Sequence, residues 1–429
     1  MVQIKNIRTD IAKYEYFSVI KGVKNLKLVI LTVSYPIKKE VFLNYEIPYL
    51  VQYFDRIEII PTGICKNNAV NEVYLDRKVT VRWDLSKKIH RKFVLNLQPL
   101  LNLLQEFIQE LFYCKTPMSI VKLVYRLTKS LSIYFALKEG YNPEDRIIFY
   151  SYWLNSSAIA LSLLHHYPKW YRIARAHGSD VFHEHAKGGY NPFLKFMIQN
   201  LDMVFPVSNV GKEYLIKHYG HTEKIIVQRL GSLSHEHISR HSNDGVFRIV
   251  SCSSLKPLKR VDRIVRALRF FNVPVEWVHF GDGPLRRKIE KLAFKLLKTR
   301  QNVKWQFMGN VDNSYIHSYY RNNPVDVFVN VSLSEGVPVS IMEAISYGIP
   351  VVAPPVGGIP EIVTQQTGRL IDDPDNPWLL KEFLEEVGKQ FSSIESRKKV
   401  KEFWQNNYNA SSNYESFARK LNELFGGEK

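Results

Sequence analysis

Short apolar, β-branched runs recur along this chain, separated by longer stretches whose apolar residues return every three or four positions. In the first half, residues 26–33 (LKLVILTV), 56–60, 147–151 (IIFYS), 171–176 and 203–207 read as buried strands. Helical spacing follows at 44–54 and 210–219. The second half repeats the scheme with runs beginning at Ile249, Val278 and Val303, then 325–331 (VDVFVNV) and 349–353 (IPVVA). Strands alternating with helices predict parallel sheets joined by crossover helices, an α/β fold. At 429 residues the chain has room for two cores of ordinary size. The expected division is a first Rossmann-like domain at 1–235, a polar linker at 232–245, and a second Rossmann-like domain at 246–390. The tail, 391–429, carries aromatic and aliphatic residues at near-helical spacing.

Residues 334–363 (SEGVPVSIMEAISYGIPVVAPPVGGIPEIV) hold the densest chemistry. The apolar run at 325–331 places Ser334 to Pro338 in the loop leaving the carboxyl end of a strand. Pro338 suits a helix start and Gly348 its end. Ligands of open α/β sheets bind at such strand ends, and a helix start attracts phosphate, so a nucleotide diphosphate is the natural guest. Glu335 precedes the helix and Glu343 lies within it, with Ser340 on nearly the same face. Carboxylates beside a pyrophosphate repel it unless they accept hydrogen bonds from hydroxyls, as acidic residues do with ribose or sugar diols. The plainer reading is an ordinary crossover with surface glutamates.

The same segment resembles the E-x7-E signature of the retaining glycosyltransferases of family 4, continued by G-x-P-V-V-A-x-x-x-G-G-x-x-E-x-V at 348–363. Upstream, 249–268 (IVSCSSLKPLKRVDRIVRAL) resembles that family's first donor-domain strand, basic loop and helix. Residues 278–285 (VHFGDGPL) resemble its G-x-G-P turn, and 303–310 (VKWQFMGN) its base-contacting loop. The resemblance implies a GT-B architecture, two Rossmann-like domains facing a cleft, with C-terminal helices crossing back to the first. It implies transfer of a hexose-type sugar from a UDP- or GDP-type donor, retaining configuration and needing no metal, to a glycan or polyprenyl-linked acceptor. Glu335 is then expected at the transferred sugar and Glu343 at the ribose. Backbone of Gly336, Val337 and Pro338 faces sugar and phosphate, the amides of Val339 and Ser340 face the phosphates, and Met308 touches the base. Lys259 is placed to neutralise the leaving diphosphate. The family's usual arginine, five positions earlier, is Ser254 here, which leaves Arg260 or Lys256 as the second cation. His177 and Asp180, in a His-Gly-Ser-Asp turn after a strand, correspond to the family's histidine loop. His177 is expected at the donor sugar, and Asp180 as orienter of the loop or acceptor contact. Ser208 is a weaker candidate. A three-histidine metal site with His183 and His185 is the lesser alternative. The early loop has Ser34-Tyr35-Pro36 and Glu40 where many relatives carry a double glycine.

Charge adds a second theme. The formal net charge is +18, yet zinc ligands, RNP-like aromatics and basic recognition helices are missing, so nucleic acid is not the expected partner. Ten basic against four acidic residues lie between Arg82 and Glu139, interleaved with Phe93, Leu97, Leu100, Leu101, Leu104, Phe107, Ile108, Leu111, Ile120, Leu123, Val124, Leu127 and Leu131 at helical spacing. Basic amphipathic helices suit an anionic membrane surface; equally, they suit a core with a solvated basic face. The isolated Cys65, Cys114 and Cys252 show no disulfide framework. No apolar run reaches the roughly 20 residues of a membrane span, and the N-terminus lacks a signal-peptide core, so a cytosolic or membrane-peripheral place is expected. A sugar-nucleotide epimerase or phosphorylase on the same fold, or a basic non-catalytic nucleotide or nucleic-acid binder, remain the rival readings.

Overall fold

A computed structural model describes residues 26–35, 41–63, 76–91, 97–184, 186 and 188–426. Pro36, Glu40, Cys65, Lys92, Phe93 and His185 lie outside the described residues, as do the side chains of Leu97, Leu100 and Leu101.

The apolar runs form two six-stranded sheets. The first holds β1 (Lys27–Thr32), β2 (Arg56–Pro61), β3 (Val79–Val81), β4 (Ile147–Ser151), β5 (Trp170–Ala176) and β6 (Met203–Pro206), ordered β3-β2-β1-β4-β5-β6. The second holds β7 (Phe247–Cys252), β8 (Val275–Phe280), β9 (Val303–Gly309), β10 (Val327–Val329), β11 (Val351–Ala353) and β12 (Gly368–Leu370), ordered β9-β8-β7-β10-β11-β12. Every neighbouring pair is parallel. Both sheets thus run 3-2-1-4-5-6, the doubly wound order, whose crevice opens where the order reverses, at the ends of β1/β4 and β7/β10. Strands covered on both faces read as near-continuous apolar sequence, which is why these runs stood out.

The two lobes are joined by paired chain crossings. Ser232 bonds Tyr408 and Ala410 through its backbone at 3.0 Å each. Gly231 passes so close to Ala410 that a Cβ there would lie 2.4 Å from its amide nitrogen. The stretch 235–245 is no free linker: Ser239 N–H donates to the Tyr347 carbonyl (2.8 Å), and Asp326 accepts from the amides of Ser242 and Arg248. Arg397, 1 % exposed, donates to the carbonyls of Phe391, Ser239 and Asp326 and ties the tail to the same place.

The tail divides its allegiance. The helix Ile394–Asn407 packs on Val339–Ser346 in the second lobe. The last helix, Ala410–Phe425, gives Ala410 and Tyr414 to the second core and Phe417, Leu421 and Phe425 to the first. It therefore crosses back alone. Beneath it, Arg175 and Glu46 form a wholly buried ion pair (3.0 Å), with Tyr150 bonded to both.

Candidate functional site

The second lobe supplies one wall of the cleft. Helix Val339–Ser346 follows β10 with Pro338 as its N-cap and Gly348, at φ +70°, just beyond its end. Ile341 and Met342 amides both donate to the Pro338 carbonyl, and the first amides, Val339 and Ser340, have no intrahelical acceptor by the geometry of a helix start. Val337 and Pro338 are buried, and Gly336 is half-buried.

Glu335 sits in the loop before this helix, its Oε1 2.5 Å from Lys259 Nζ and 3.2 Å from Asn330 Nδ2. Asn330 in turn accepts from Ser332 N–H, so the strand-end loop is folded around the acid. Gly357, at φ +56°, permits a second loop to close on it; a Cβ there would lie 1.8 Å from the Glu335 carbonyl oxygen. Gly358 N–H then donates to the Gly336 carbonyl (2.7 Å). Only glycine tolerates both the left-handed backbone and this approach.

Arg260 does not supply a second cation to that pair. Its backbone is left-handed (φ +47°), and its guanidinium holds the carbonyls of Val331 (2.8 Å) and Ser332 (3.3 Å) and the carboxylate of Asp375. It is a brace for the β10 loop. Lys256 faces solvent, and Ser254 is half-buried in the same turn. Lys259 is thus the loop cation that reaches the acid.

Glu343 stands apart from Glu335, on the buried side of its helix. Asn313 Nδ2 donates to it at 2.7 Å, and burial pushes its carboxyl up to about 7. Cys252, at the end of β7, lies in the field of both Glu343 and Lys259, and Tyr45 of the first lobe lies in that of Glu343. The two carboxylates therefore both lie near the end of β7. Met308 packs its side chain against the second core, and a shallow groove lined by Asn310, Val311, Asp312, Ser314 and Tyr315 begins just past it.

The first lobe supplies the facing wall through the turn after β5. Gly178 approaches the opposite loop so closely that a Cβ there would lie 2.7 Å from Gly336 Cα. The His177 turn and the Glu335 loop are in contact. His177 is buried, its ring 4.2 Å from that of Trp153 and its Nε2 3.1 Å from the Tyr152 carbonyl. A carbonyl only accepts, so Nε2 carries the hydrogen and Nδ1 keeps a lone pair. Burial, with Arg175 nearby, holds the imidazole down to about 3, so it is neutral at pH 7.

Asp180 is buried and turned into the fold. Its oxygens accept from the amides of His177 (2.6 Å) and Leu154 (2.8 Å), and burial raises its carboxyl to about 7. It fixes the loop that carries His177. Ser208 is a helix cap, accepting from Gly211 N–H. His183 bonds Tyr219 and Asn191, and among the described residues no group of three His, Cys, Asp or Glu side chains is placed to hold a metal ion.

Several site residues were missed in the sequence. Asn330 directly follows an apolar strand and was readable; Asn313 and Trp153 carried no local signal. Glu361, which ends the glycine-rich continuation, clasps the first lobe by accepting from Val210 N–H (2.9 Å) and Asn209 Nδ2 (3.1 Å), with Arg229 beside it.

Two doubly wound lobes closing on these loops make this a GT-B fold, and comparison with solved structures agrees. The chain superposes on the lipopolysaccharide outer core galactosyltransferase WaaB with a TM-score of 0.63 at 14% identity, covering 93% of this chain and 99% of that one. On Anabaena Alr3699/HepE in complex with UDP and glucose the TM-score is 0.63 at 15% identity, covering 93% and 100%. Residues 235–406 match the family Glycosyl transferases group 1. Curated relatives include the phosphatidylinositol N-acetylglucosaminyltransferase GPI3 subunit of Saccharomyces cerevisiae, 27% identical over 43% of this chain and 44% of that one. Another is the amylovoran biosynthesis glycosyltransferase AmsK of Erwinia amylovora, 27% identical over 44% of this chain and 47% of that one. These alignments thus span about half the length of the relatives.

Proposed function

We propose that this chain is a retaining glycosyltransferase. It moves a hexose-type sugar from a UDP- or GDP-type nucleotide-diphosphate donor to a hydroxyl of a glycan or polyprenyl-linked glycan, in the building of a polysaccharide or glycolipid. The observation that carries the reading is the Lys259–Glu335 pair at a strand end, pressed against the His177 turn of the facing lobe. Without ligand the two charges neutralise each other. A sugar nucleotide entering between them gives Lys259 a phosphate and Glu335 sugar hydroxyls, so both keep partners while the pair opens. The amides of Val339 and Ser340 add donors to the diphosphate, and Glu343 accepts from the ribose. His177 offers its Nδ1 lone pair to a sugar hydroxyl.

As the bond from the anomeric carbon to phosphate oxygen breaks, its electron pair leaves with the nucleoside diphosphate. The Lys259 ammonium is already in place for the charge that accumulates there, which requires no metal and no rearrangement. The acceptor hydroxyl bonds to the anomeric carbon on the face the phosphate leaves, and its proton passes to the departing phosphate oxygen.

The test is release of nucleoside diphosphate from a panel of UDP and GDP sugars with and without glycan acceptors. Turnover is expected for one donor and is lost in Glu335→Ala while the thermal melt persists. Unaltered turnover in that variant sinks the site assignment. Silence across the whole panel favours a non-catalytic binder, and epimerised donor without acceptor favours an epimerase.

A further inference from the structure

The helices Leu97–Tyr113 and Pro117–Gly140 form a hairpin whose apolar residues point the wrong way for a protein in water. Of the twenty exposed large hydrophobic side chains among the described residues, ten fall between Leu104 and Tyr125. Phe112 is 83 % exposed, Tyr113 63 %, Val121 62 % and Tyr125 60 %. Along the second helix, Leu123, Leu131, Ile133 and Leu137 face the core, while Met118, Val121 and Tyr125 form an outward stripe at i, i+3 and i+7. The bases are not on the outer face that an ordinary soluble helix gives them. Lys122 and Arg126 turn inward, Lys122 to Tyr190 and Asn191 and Arg126 into the field of Asp180, while Lys129 is half-buried on the flank and Lys115 is exposed in the turn between the helices. Exposed apolar patches of this kind mark interaction surfaces.

We infer that this hairpin docks the protein on an anionic membrane surface, its apolar tip lying among the acyl chains and Lys115 and Lys129 meeting lipid phosphates. Three observations select that occupant over a protein partner. The stripe is aliphatic-aromatic, the form of a helix lying in an interface, and no helix among the described residues is long and apolar enough to cross a membrane. Lys115, exposed in the turn, and the half-buried stem of Lys129 lie beside the apolar face, where long basic side chains carry their charges outward to the headgroup level. The net charge of +18 repels a second copy and attracts an acidic bilayer.

The hairpin is also tied to the candidate site. Lys122 Nζ donates to the Tyr190 carbonyl (2.7 Å) and Asn191 Oδ1 (3.0 Å), and Asn191 Nδ2 donates to the carbonyls of Ser179 and Phe182 in the His177 turn. A membrane-seated hairpin therefore holds the cleft at a fixed place above the lipid. Docking itself stands without the transferase reading, because it is measured without donor or acceptor.

The experiment is sedimentation of the full chain with vesicles of phosphatidylcholine alone and of phosphatidylcholine mixed with phosphatidylglycerol. Binding to the mixed vesicles is expected, weak binding to the neutral ones, and a loss of about tenfold or more in partition for the triple variant Phe112→Ser, Val121→Ser, Tyr125→Ser. The three side chains are exposed, so circular dichroism and the melt should match wild type. A Val121→Trp variant should blue-shift its fluorescence on the mixed vesicles. Equal partition of wild type and triple variant overturns the inference, as does failure to sediment with anionic vesicles. A concentration-dependent dimer that the triple variant abolishes, with no vesicle binding, assigns the face to a second copy instead.

Discussion

The two lobes share one strand order and differ most in a single connection, the crossover from the third strand to the fourth. In the second lobe β9 reaches β10 through one helix, Asn313–Asn322, whose first residue donates into the buried Glu343. In the first lobe, among the described residues, the crossover from β3 to β4 holds the helices Trp83–Arg91, Leu97–Tyr113 and Pro117–Gly140, the last two bearing the exposed apolar hairpin. The equivalent piece of chain thus builds the interior of a site in one lobe and an outward surface in the other. A crossover must be long enough to cover the sheet face; anything beyond that is free for other work. The lesson is that the doubly wound order fixes where the cleft opens, while the crossover decides what each lobe adds to it.

If the second lobe holds the charge chemistry and the first the approach of acceptor, the largest effect belongs to Lys259. Lys259→Ala removes the cation aimed at the leaving diphosphate and should lower kcat/KM by roughly 10²–10³, the usual loss for one preorganised electrostatic group. Steady-state kinetics with the selected donor reads this directly. A normal rate and donor affinity would show that the phosphate charge is met elsewhere.

Next in size is the short crossover itself. Asn313→Ala deprives a carboxylate that is only 6 % exposed of its hydrogen-bond donor and should destabilise the fold by about 1–3 kcal/mol. The loss should be greater at pH 8 than at pH 5, because the unpaired group is protonated at the lower pH. Urea unfolding at both values measures it; an equal loss at both would detach Asn313 from the charge of Glu343.

Glu343→Gln asks the same question with a smaller change. The carboxyl titrates near 7 when folded against an ordinary 4.5, so between those values the folded chain binds more protons than the unfolded one. Its contribution is most favourable below about pH 4.5 and declines as pH rises through 7. The amide keeps the acceptor for Asn313 and never ionises. The variant should match wild type near pH 5 and exceed it at pH 8 by on the order of 1–2 kcal/mol. Matched melting curves at pH 8 would mean the carboxylate finds compensation on ionising.

How far these roles were legible depends on whether the partners lie near one another along the chain. Glu335, Pro338, Gly348 and Gly357 fall within one βαβ unit, and a strand, a helix start and two turns place them from local pattern alone. Arg260 was misread because its own loop says it is a cation near phosphate, whereas the carbonyls it holds come from Val331 and Ser332, in the loop after the neighbouring strand β10. Asn313, thirty positions before Glu343, is an unremarkable polar residue until the lobe folds. Asp180 shows the same limit: a carboxylate beside a histidine reads as chemistry, and the backbone amide of Leu154 that occupies it comes from the neighbouring strand's loop.

The hairpin is the case where the periodicity was legible and the covered face was not. Leu123, Leu127 and Leu131 satisfy helical spacing, and so do Ile120 and Val124 beside them; which set is covered is decided by what packs there, and only the first set is. The sequence left open whether the basic face meets an anionic membrane surface or solvent, and the structure turns Lys122 and Arg126 inward instead. That correction makes the smallest predicted effect the sharpest comparison. Single substitutions Phe112→Ser, Val121→Ser and Tyr125→Ser remove side chains that bury little area, so each should leave stability within about 0.5 kcal/mol. A similar change at Leu123, buried on the same helix, should cost about 2–5 kcal/mol by leaving a cavity. Thermal melts of the four variants measure this. Equal losses on both faces would mean that the outward stripe is covered in the folded chain, and the contrast between the two crossovers would then fall.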